Sequence, residues 1–311
     1  MPAENITVII PTHNRRAIVK RAIEAYVQQT RREAISEILV IDDGSTDGTG
    51  ELVLQCAAAS PFPIRHLCQA HRGLAAARNR GVREAGSGLI LFGDDDVIPA
   101  PNLVEEHLAW HEKHPEPFTG VMGYVPWSPE VRPTPFMKHI ISEGPQFGYG
   151  RMTAGKKVTF MGCYFNNTSL RLEFLRQNGG FNESFRSWGC EDWELGYRLI
   201  NKGLVMLYNP RAIGYHYKRV SFAEACQFSK KIAPSLEIFQ TTEAGKAYFA
   251  AQKRRKRSRK YRAQMQLTRR LVPVLMPLKP LLDSRVPLPK TLYRAFFAYH
   301  NNVAKRTSSA A

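Results

Sequence analysis

Residues 94–96 are three consecutive aspartates that directly follow the apolar run Leu89–Phe92. Side chains alternate along a strand, so Asp94 and Asp96 are expected to converge while Asp95 points elsewhere. Two converging carboxylates offer the hard oxygen ligands that Mg²⁺ or Mn²⁺ prefers, and these ions keep positions open for a substrate's phosphates. A solvent-exposed acidic turn is the alternative interpretation of the same residues.

A second group of acids begins a predicted helix at residues 191–201 and follows Trp188. Glu191, Asp192 and Glu194 would stabilise the first helical turn by a few tenths to about 1 kcal/mol through the macrodipole. Alternatively, one of them is a general base, because partly dry, aromatic surroundings raise a carboxylate's pKa toward neutrality. The residue types leave both interpretations open.

Further polar segments follow other predicted strands. Residues 42–49 read Asp-Asp-Gly-Ser-Thr-Asp-Gly-Thr, which is typical of a turn that caps a helix, and a carboxylate there is also able to accept the imide N–H of uracil. His216, between two tyrosines, would either complete a metal site with Asp94 and Asp96 or pack in the interior. The basic candidates to neutralise a diphosphate are Arg72, Arg78, Lys218 and Arg219.

The first hundred residues must position these clusters, and they alternate strand and helix patterns. We predict strands at 6–10, 37–41, 64–67 and 89–92, with helices at 16–29, 48–59 and 74–85. This alternation implies an α/β fold with a mostly parallel sheet flanked by helices, in which ligands lie beyond the carboxyl ends of the strands. Residues 115–157, rich in proline and glycine, are predicted to be loops with room for a substrate lid. Ordered patterning resumes at 159, with strands predicted at 204–208 and 212–217.

The composition limits the classes of protein. With 311 residues, 43% of them hydrophobic, the chain is long enough for one large domain and a smaller appendage. Its net charge of +17 favours anionic partners. Beyond residue 220 the sequence becomes helix-like and basic, most densely at 253–260. Scattered cysteines without a C-x-x-C pair predict reduced thiols, and no apolar run reaches the length of a spanning helix. We expect a cytoplasmic protein that does not cross the membrane.

Five segments together resemble family 2 glycosyltransferases of the GT-A fold. They are Ile9–Asn14, Val40–Thr49, Gly73–Gly81, Phe92–Asp96 and Gly189–Asp192. They occur in the family's order and at its spacing, over about residues 4–220. The resemblance implies a Rossmann-like sheet, a nucleotide-sugar donor that is most often a UDP-sugar, a divalent cation (Mn²⁺ or Mg²⁺), and inverting transfer to an acceptor hydroxyl.

The resemblance also implies roles for individual residues. His13 matches the position that packs against the base, and Asp43 the one that binds the uracil imide. Asp94 and Asp96 match the D-x-D motif, near the ribose and on the metal respectively. The candidate donor-binding residues are Pro11, Thr12, His13, Asp43, Arg72, Gly73, Arg78, Asp94 and Asp95. The candidate metal ligands are Asp96, Asp94 and His216. The candidate catalytic and acceptor residues are Asp192 as base, Glu191 as its partner that helps hold the acceptor, and Trp188 as a platform for the acceptor sugar.

We therefore predict a GT-A domain at residues 1–220, divided into a nucleotide-binding half (1–100) and an acceptor-binding half (101–220), and a basic helical extension at 221–311. The expected function is transfer to a glycan, lipid-linked or small-molecule acceptor in cell-envelope polysaccharide or glycolipid synthesis, with the extension docking on the inner face of the membrane.

Two alternatives to this function remain. A sugar nucleotidyltransferase would share the fold class and the metal, but should carry a glycine-rich, basic phosphate loop where residues 11–14 read Pro-Thr-His-Asn. A protein that binds anionic membrane or nucleic acid through residues 253–260 is the other. For a transferase, we expect no nucleic-acid partner.

Overall fold

The computed structural model describes residues 5–144, 147–187 and 189–307. The chain divides into two compact units, the first made of Met1–Ser128 and Met152–Tyr217 and the second of Pro129–Arg151 and Lys218–Ala311. The segment 129–151, which we assigned to the acceptor-binding half, therefore clusters with the C-terminal residues.

The strands are β1 (Ile6–Thr12), β2 (Ile35–Asp42), β3 (Ile64–Cys68), β4 (Leu89–Gly93), β5 (Val97–Pro99), β6 (Thr119–Tyr124), β7 (Asn167–Arg171) and β8 (Val205–His216). The helices are α1 (Arg16–Val27), α2 (Thr49–Ala58), α3 (Leu74–Glu84), α4 (Leu103–Lys113), α5 (Pro135–Glu143), α6 (Leu172–Asn178), α7 (Glu191–Asn201), α8 (Phe222–Lys231), α9 (Ala233–Thr241), α10 (Glu243–Arg257), α11 (Arg259–Leu275) and α12 (Lys290–Thr307).

The first unit is built on a mixed sheet in the order β3-β2-β1-β4-β7-β6-β8-β5. Strands β1 to β4 pair in parallel, whereas β7 is antiparallel to both β4 and β6, and β5 is antiparallel to β8. The predicted α/β fold with a helix-flanked sheet is confirmed. The predicted strands and helices up to residue 93 are also confirmed, with ends that shift by one or two residues.

Continuous apolar runs form the parallel half of this sheet because both of its faces are covered. All seven residues of β1 and all five of β4 are buried. Helix α1 turns Val19, Ala22, Ile23 and Tyr26 to the core, at the spacing of one helical face. The carboxyl ends of β1, β2 and β4 consequently lie side by side, which brings distant polar segments to one edge.

Two predictions for the middle of the first unit need correction. The predicted loop at 115–157 contains β6, whose Val121 and Met122 are fully buried. The two strands predicted between 204 and 217 form the single strand β8, and the register of its pairing with β6 shifts between Gly123 and Tyr124. Glycines in β6 disguise it as a loop, and burial against its neighbours outweighs their low strand preference.

The second unit is helical, as predicted for the C-terminal region. Its interior is aromatic: Phe136 of α5 lies edge-on to Phe222, with ring centroids 5.5 Å apart, and Phe296 is fully buried. Thr134 caps α5 by accepting from the backbone N–H of Met137. Among the helices that the structure describes, none is long and apolar enough to cross a membrane.

A buried histidine pair inside the first unit predicts how stability depends on pH. His107 and His111 both contact the Ser169 hydroxyl at 2.8 Å, and burial lowers their pKa to about 4 and about 3. The unfolded histidines, with pKa about 6.5, bind more protons below neutrality. The free energy of unfolding should therefore fall as pH falls from 6.5 towards 4, by up to about 1.4 kcal/mol per pH unit for each histidine. Urea titrations at several pH values in this range give the free energy of unfolding as a function of pH. That free energy should change less steeply with pH for His111→Gln than for the wild type, and an identical pH dependence would contradict the assignment.

Candidate active site

The three aspartates lie in a turn, because β4 ends at Gly93. A Cβ atom at Gly93 would lie only 2.7 Å from the Tyr26 hydroxyl, so the tyrosine fills the space that a larger residue would occupy. Strand alternation therefore does not govern residues 94–96, and that premise of the sequence analysis was wrong. The three carboxylates face three different sets of partners.

Asp95, which the sequence analysis expected to point away from Asp94 and Asp96, makes contacts of its own in the site. Its side chain is 8% exposed, Oδ2 accepts from the Thr12 hydroxyl at 2.8 Å, and Oδ1 accepts from Arg15 Nη1 at 3.0 Å. Burial raises the pKa of Asp95 to about 7, although the Arg15 charge opposes the shift. Thr12, like Pro11 before it, is buried at the end of β1 and supports this carboxylate from below.

Arg15 is a residue that the sequence analysis missed. The same Nη1 atom lies 2.6 Å from Asp96 Oδ2, so one guanidinium holds two of the three aspartates. The available signal was its position, one residue beyond the polar segment that ends β1. Burial alone would raise the pKa of Asp96, but its contacts with His216 and Arg15 outweigh burial and place that pKa below the usual range.

Asp96 and His216 are the candidate metal ligands that the structure brings together. His216 Nε2 lies 3.5 Å from Asp96 Oδ1, and its ring stacks on Trp127 at 4.9 Å, with the planes 8° apart. One carboxylate and one imidazole suit Mn²⁺ and leave coordination positions for phosphate oxygens and water. The third candidate ligand, Asp94, pairs with Arg78 instead. Within the described ranges, no three His, Cys, Asp or Glu side chains are grouped to hold a metal.

Asp43 lies at the end of β2 with its carboxylate fully occupied. Oδ1 accepts from the backbone N–H of Arg72 at 2.9 Å and from Gln69 Nε2 at 2.8 Å. Oδ2 accepts from the backbone N–H of Gly73 at 2.7 Å and lies 2.8 Å from His71 Nδ1. A carboxylate has about four acceptor positions. Binding an imide N–H here therefore requires displacement of the Gln69 or the His71 side chain.

Two exposed imidazoles lie above this carboxylate. His13 and His71 stack with centroids 4.3 Å apart and an interplanar angle of 29°, and His13 Nδ1 lies 2.8 Å from the Asp43 carbonyl oxygen. The pair offers a flat, exposed aromatic face. His13 is where the sequence analysis expected a base-stacking residue, and it missed His71, which supports the His13 ring by stacking on it.

The backbone at residue 73 accommodates only glycine. Its φ is +92°, and a Cβ atom would lie 2.5 Å from the Arg186 carbonyl oxygen. The adjacent Arg72 pairs its guanidinium with Glu183 at 2.8 Å. The loop at 72–73 thus gives two backbone N–H groups to Asp43 and contacts residue 186 backbone to backbone.

Arg78 joins the two acidic clusters. Its side chain is 1% exposed; Nη2 donates to Asp94 Oδ1 at 2.8 Å and Nη1 to Asp192 Oδ1 at 2.9 Å. The ring of Phe181 lies 5.2 Å from the guanidinium carbon. The prediction that Arg78 neutralises a diphosphate does not fit this position, because the guanidinium is enclosed by two carboxylates and a ring.

Helix α7 begins at Glu191, as predicted, and places two acids with different access to solvent. The side chain of Asp192 is 20% exposed, and its Oδ2 accepts from the Phe165 backbone N–H at 3.1 Å. Glu191 is buried, and its Oε2 has no hydrogen-bond partner among the residues that the structure describes. Burial raises the pKa of both carboxyls, and Asp192 raises that of Glu191 further. Trp188 falls outside the described residues, so its acceptor role stays a prediction.

A mixed sheet whose parallel half ends in acidic and imidazole side chains, next to an acidic helix start, is typical of the GT-A fold of glycosyltransferases. Solved structures share this fold. A mannosyltransferase from Pyrobaculum calidifontis, solved with GDP-Man and Mn²⁺, aligns with a TM-score of 0.60 at 17% identity, over 96% of this chain and 87% of that one. TarS of S. aureus in complex with UDP-GlcNAc aligns with a TM-score of 0.54 at 16% identity, over 77% and 67% of the two chains.

The chain belongs to glycosyl transferase family 2. The model of that family matches residues 7–176, and a model described as the N-terminal domain of galactosyltransferase matches residues 155–220. Validoxylamine A glucosyltransferase of Streptomyces hygroscopicus subsp. limoneus is 32% identical over 232 residues, which cover 67% of this chain and 51% of the relative. The chain thus spans about half the length of this curated relative.

Proposed function

We propose that this glycosyltransferase moves a sugar from a nucleotide-diphosphate donor to an acceptor hydroxyl with inversion, and that Asp192 is the general base. The observation that carries the proposal is the access of Asp192. Of the two acids that begin α7, only Asp192 reaches the site surface, with a pKa that burial raises towards that of a working base. Glu191 is buried, and the neighbouring Asp192 adds to the rise in its pKa.

The proposed donor is a UDP-sugar. The stacked pair of His13 and His71 presents an aromatic face beside Asp43, and a uracil ring lying there would place its imide N–H near that carboxylate. We propose that the imide takes the position that Gln69 Nε2 occupies at Asp43 Oδ1, which leaves the stacked imidazole pair in place. The two backbone N–H groups from the 72–73 loop stay in place and keep Asp43 oriented.

The proposed metal ligands are Asp96 and His216. Their donor types fit Mn²⁺ or Mg²⁺, and a bound cation would supply charge neutralisation for the departing diphosphate. Arg15 contributes from the protein side, because it fixes Asp96 at 2.6 Å and brings a positive charge to this edge of the sheet. Trp127 fixes the plane of the His216 ring.

Proton transfer is the remaining chemical task. Asp192 would remove the proton of the acceptor hydroxyl as that oxygen attacks the anomeric carbon, on the face opposite the leaving diphosphate. Arg78 and the Phe165 backbone N–H hold the carboxylate in one orientation, which reduces the entropy lost on reaching the reactive geometry. The acceptors that we propose are hydroxyls of envelope glycans or glycolipids at the inner face of the membrane.

The nucleotidyltransferase alternative is not favoured by the end of β1. Asn14 adopts a φ of +51°, its backbone N–H donates to the Ser45 hydroxyl, and its side chain accepts from the Thr46 backbone N–H. This segment is tied to the following turn and does not offer a row of free backbone N–H groups to a triphosphate.

A panel of nucleotide sugars tests the proposed function. Thermal stabilisation of the full chain should be largest with one UDP-sugar and should require Mn²⁺ or Mg²⁺, since a ligand that binds only the folded state raises the melting temperature. Hydrolysis of the same donor should disappear when EDTA is added. Stabilisation by a nucleoside triphosphate with release of pyrophosphate in the presence of a sugar phosphate would favour the nucleotidyltransferase instead.

A further inference from the structure

The net positive charge of the protein lies in the sequence beyond residue 217. Residues 1–217 contain 23 Lys and Arg and 23 Asp and Glu, whereas residues 218–311 contain 21 basic residues and 4 acidic ones. The excess of 17 positive charges thus belongs entirely to the sequence beyond residue 217. Residues 1–217 thus carry no net charge, whereas residues 218–311 strongly attract anions.

The densest part of this charge is exposed. Lys253, Arg254, Arg255, Lys256 and Arg257, which we call the basic cluster, end helix α10 and are all exposed to solvent. From residue 253 onwards the only acid in the sequence is Asp283, whose carboxylate accepts from the Phe222 backbone N–H at 2.6 Å. No carboxylate therefore neutralises the cluster from the same stretch of chain.

An apolar surface follows directly along the chain. We call it the apolar ridge, and it consists of Leu267, Leu271, Val274, Leu278 and Leu281. The first three are spaced i, i+4, i+7 and share one face of α11. The last two are spaced i, i+3 in a 3₁₀ helix at Met276–Asp283, where residues three apart are aligned.

The ridge points away from the interior of its own unit. Leu271 is 46% exposed and Val274 is 75% exposed, whereas Val272 is fully buried and Leu282 likewise. The helix therefore already has a separate packing face. Exposed Arg262, Arg270 and Lys279 flank the ridge in sequence.

We propose that the apolar ridge and the basic cluster form a docking surface for an anionic lipid membrane, with the ridge side chains inserted below the headgroups. Charge favours approach to such a surface, and aliphatic side chains gain from burial in its hydrocarbon edge. Nucleic acid would attract the basic cluster but would not bury five exposed aliphatic side chains, because its backbone is anionic and solvated. This proposal does not depend on the identity of the sugar donor.

Vesicle sedimentation with the full chain tests the proposal. The wild type should partition onto vesicles of phosphatidylcholine mixed with phosphatidylglycerol and much less onto phosphatidylcholine alone. Leu271→Glu combined with Val274→Glu should lower the partition coefficient at least tenfold, whereas Leu54→Glu, at a residue 59% exposed on the first unit, should leave it unchanged. Because all these sites are exposed, circular dichroism should show unchanged folding.

A second variant separates the contribution of charge from that of insertion. Arg254→Gln, Arg255→Gln and Lys256→Gln together should weaken binding to the mixed vesicles and remove most of its dependence on salt. Partitioning of the ridge variant equal to that of the wild type would overturn the proposal. So would binding to duplex DNA that matches vesicle binding and is insensitive to the ridge variant, or a wild-type dimer that the ridge variant dissociates. Donor hydrolysis should be the same in all these variants, so a failed docking surface is distinguishable from a failed transferase.

Discussion

Asp192→Asn should lower the rate of sugar transfer by about 10²–10⁴-fold while donor binding stays nearly unchanged, because a positioned general base contributes about that factor. The asparagine cannot take the acceptor's proton. It also has one acceptor oxygen where the aspartate uses two, towards Arg78 and the Phe165 backbone N–H. Transfer rates and donor dissociation constants, measured separately, should show this division between chemistry and binding.

The matched control for this variant lies on the same helix. Glu194 is engaged with Arg198 at 2.7 Å, and Glu194→Gln weakens that ion pair without touching Asp192. It should reproduce any general loss of helix stability and retain transfer. Wild-type transfer in Asp192→Asn would exclude the base assignment, and an equal loss in both variants would show that α7 had merely been destabilised.

Replacement of Arg78 should affect both stability and chemistry. Arg78→Ala leaves Asp94 and Asp192 close together without their shared cation, and loss of one partner from a buried ion pair costs about 3–5 kcal/mol of unfolding free energy. The lower end is expected, since both carboxylates keep some contact with solvent. Chemical denaturation should show this difference, whereas Arg83→Ala, at an exposed position on the same helix, should change stability little.

The conservative variant Arg78→Lys distinguishes positioning from mere stability. A lysine ammonium is a compact charge on a flexible stem and lacks the rigid planar fork with which the guanidinium reaches both carboxylates. The Coulomb attraction of Arg78 lowers the pKa of Asp192 against the larger effect of burial. A weaker attraction in Arg78→Lys should therefore raise the pKa of Asp192 and move the acidic limb of the pH–rate profile to higher pH. A normal profile in a correctly folded Arg78→Lys variant would show that Arg78 has only a structural role.

The parallel half of the fold was predictable because its strands are buried on both faces and appear as unbroken apolar runs. Ile6–Thr12 and Leu89–Gly93 are of this kind, and their polar ends had to meet at one edge. Thr119–Tyr124 was not predictable, because its two glycines interrupt any alternation of apolar and polar residues along the strand. Its strand character comes from neighbours distant in sequence.

Individual side-chain partners in the site were harder to predict than its location. The sequence placed the aspartates at the end of β4, but a period of two residues applies only while the strand lasts. Once the chain turns, Asp95 is directed to Arg15 by a contact across 80 residues. The bridge from Arg78 to Asp192 spans 114 residues. Ion pairs over such separations depend on the packed geometry and leave no pattern in the local sequence.

The missing side chain at residue 73 has a kinetic consequence. Because the loop at 72–73 contacts Arg186 backbone to backbone, a shift of this loop displaces the segment that leads into α7. In the proposed function, a donor resting on the loop and an acceptor beside α7 would therefore not bind independently. We expect the order in which the two substrates bind, and not only the affinity for each, to depend on a contact that glycine alone permits.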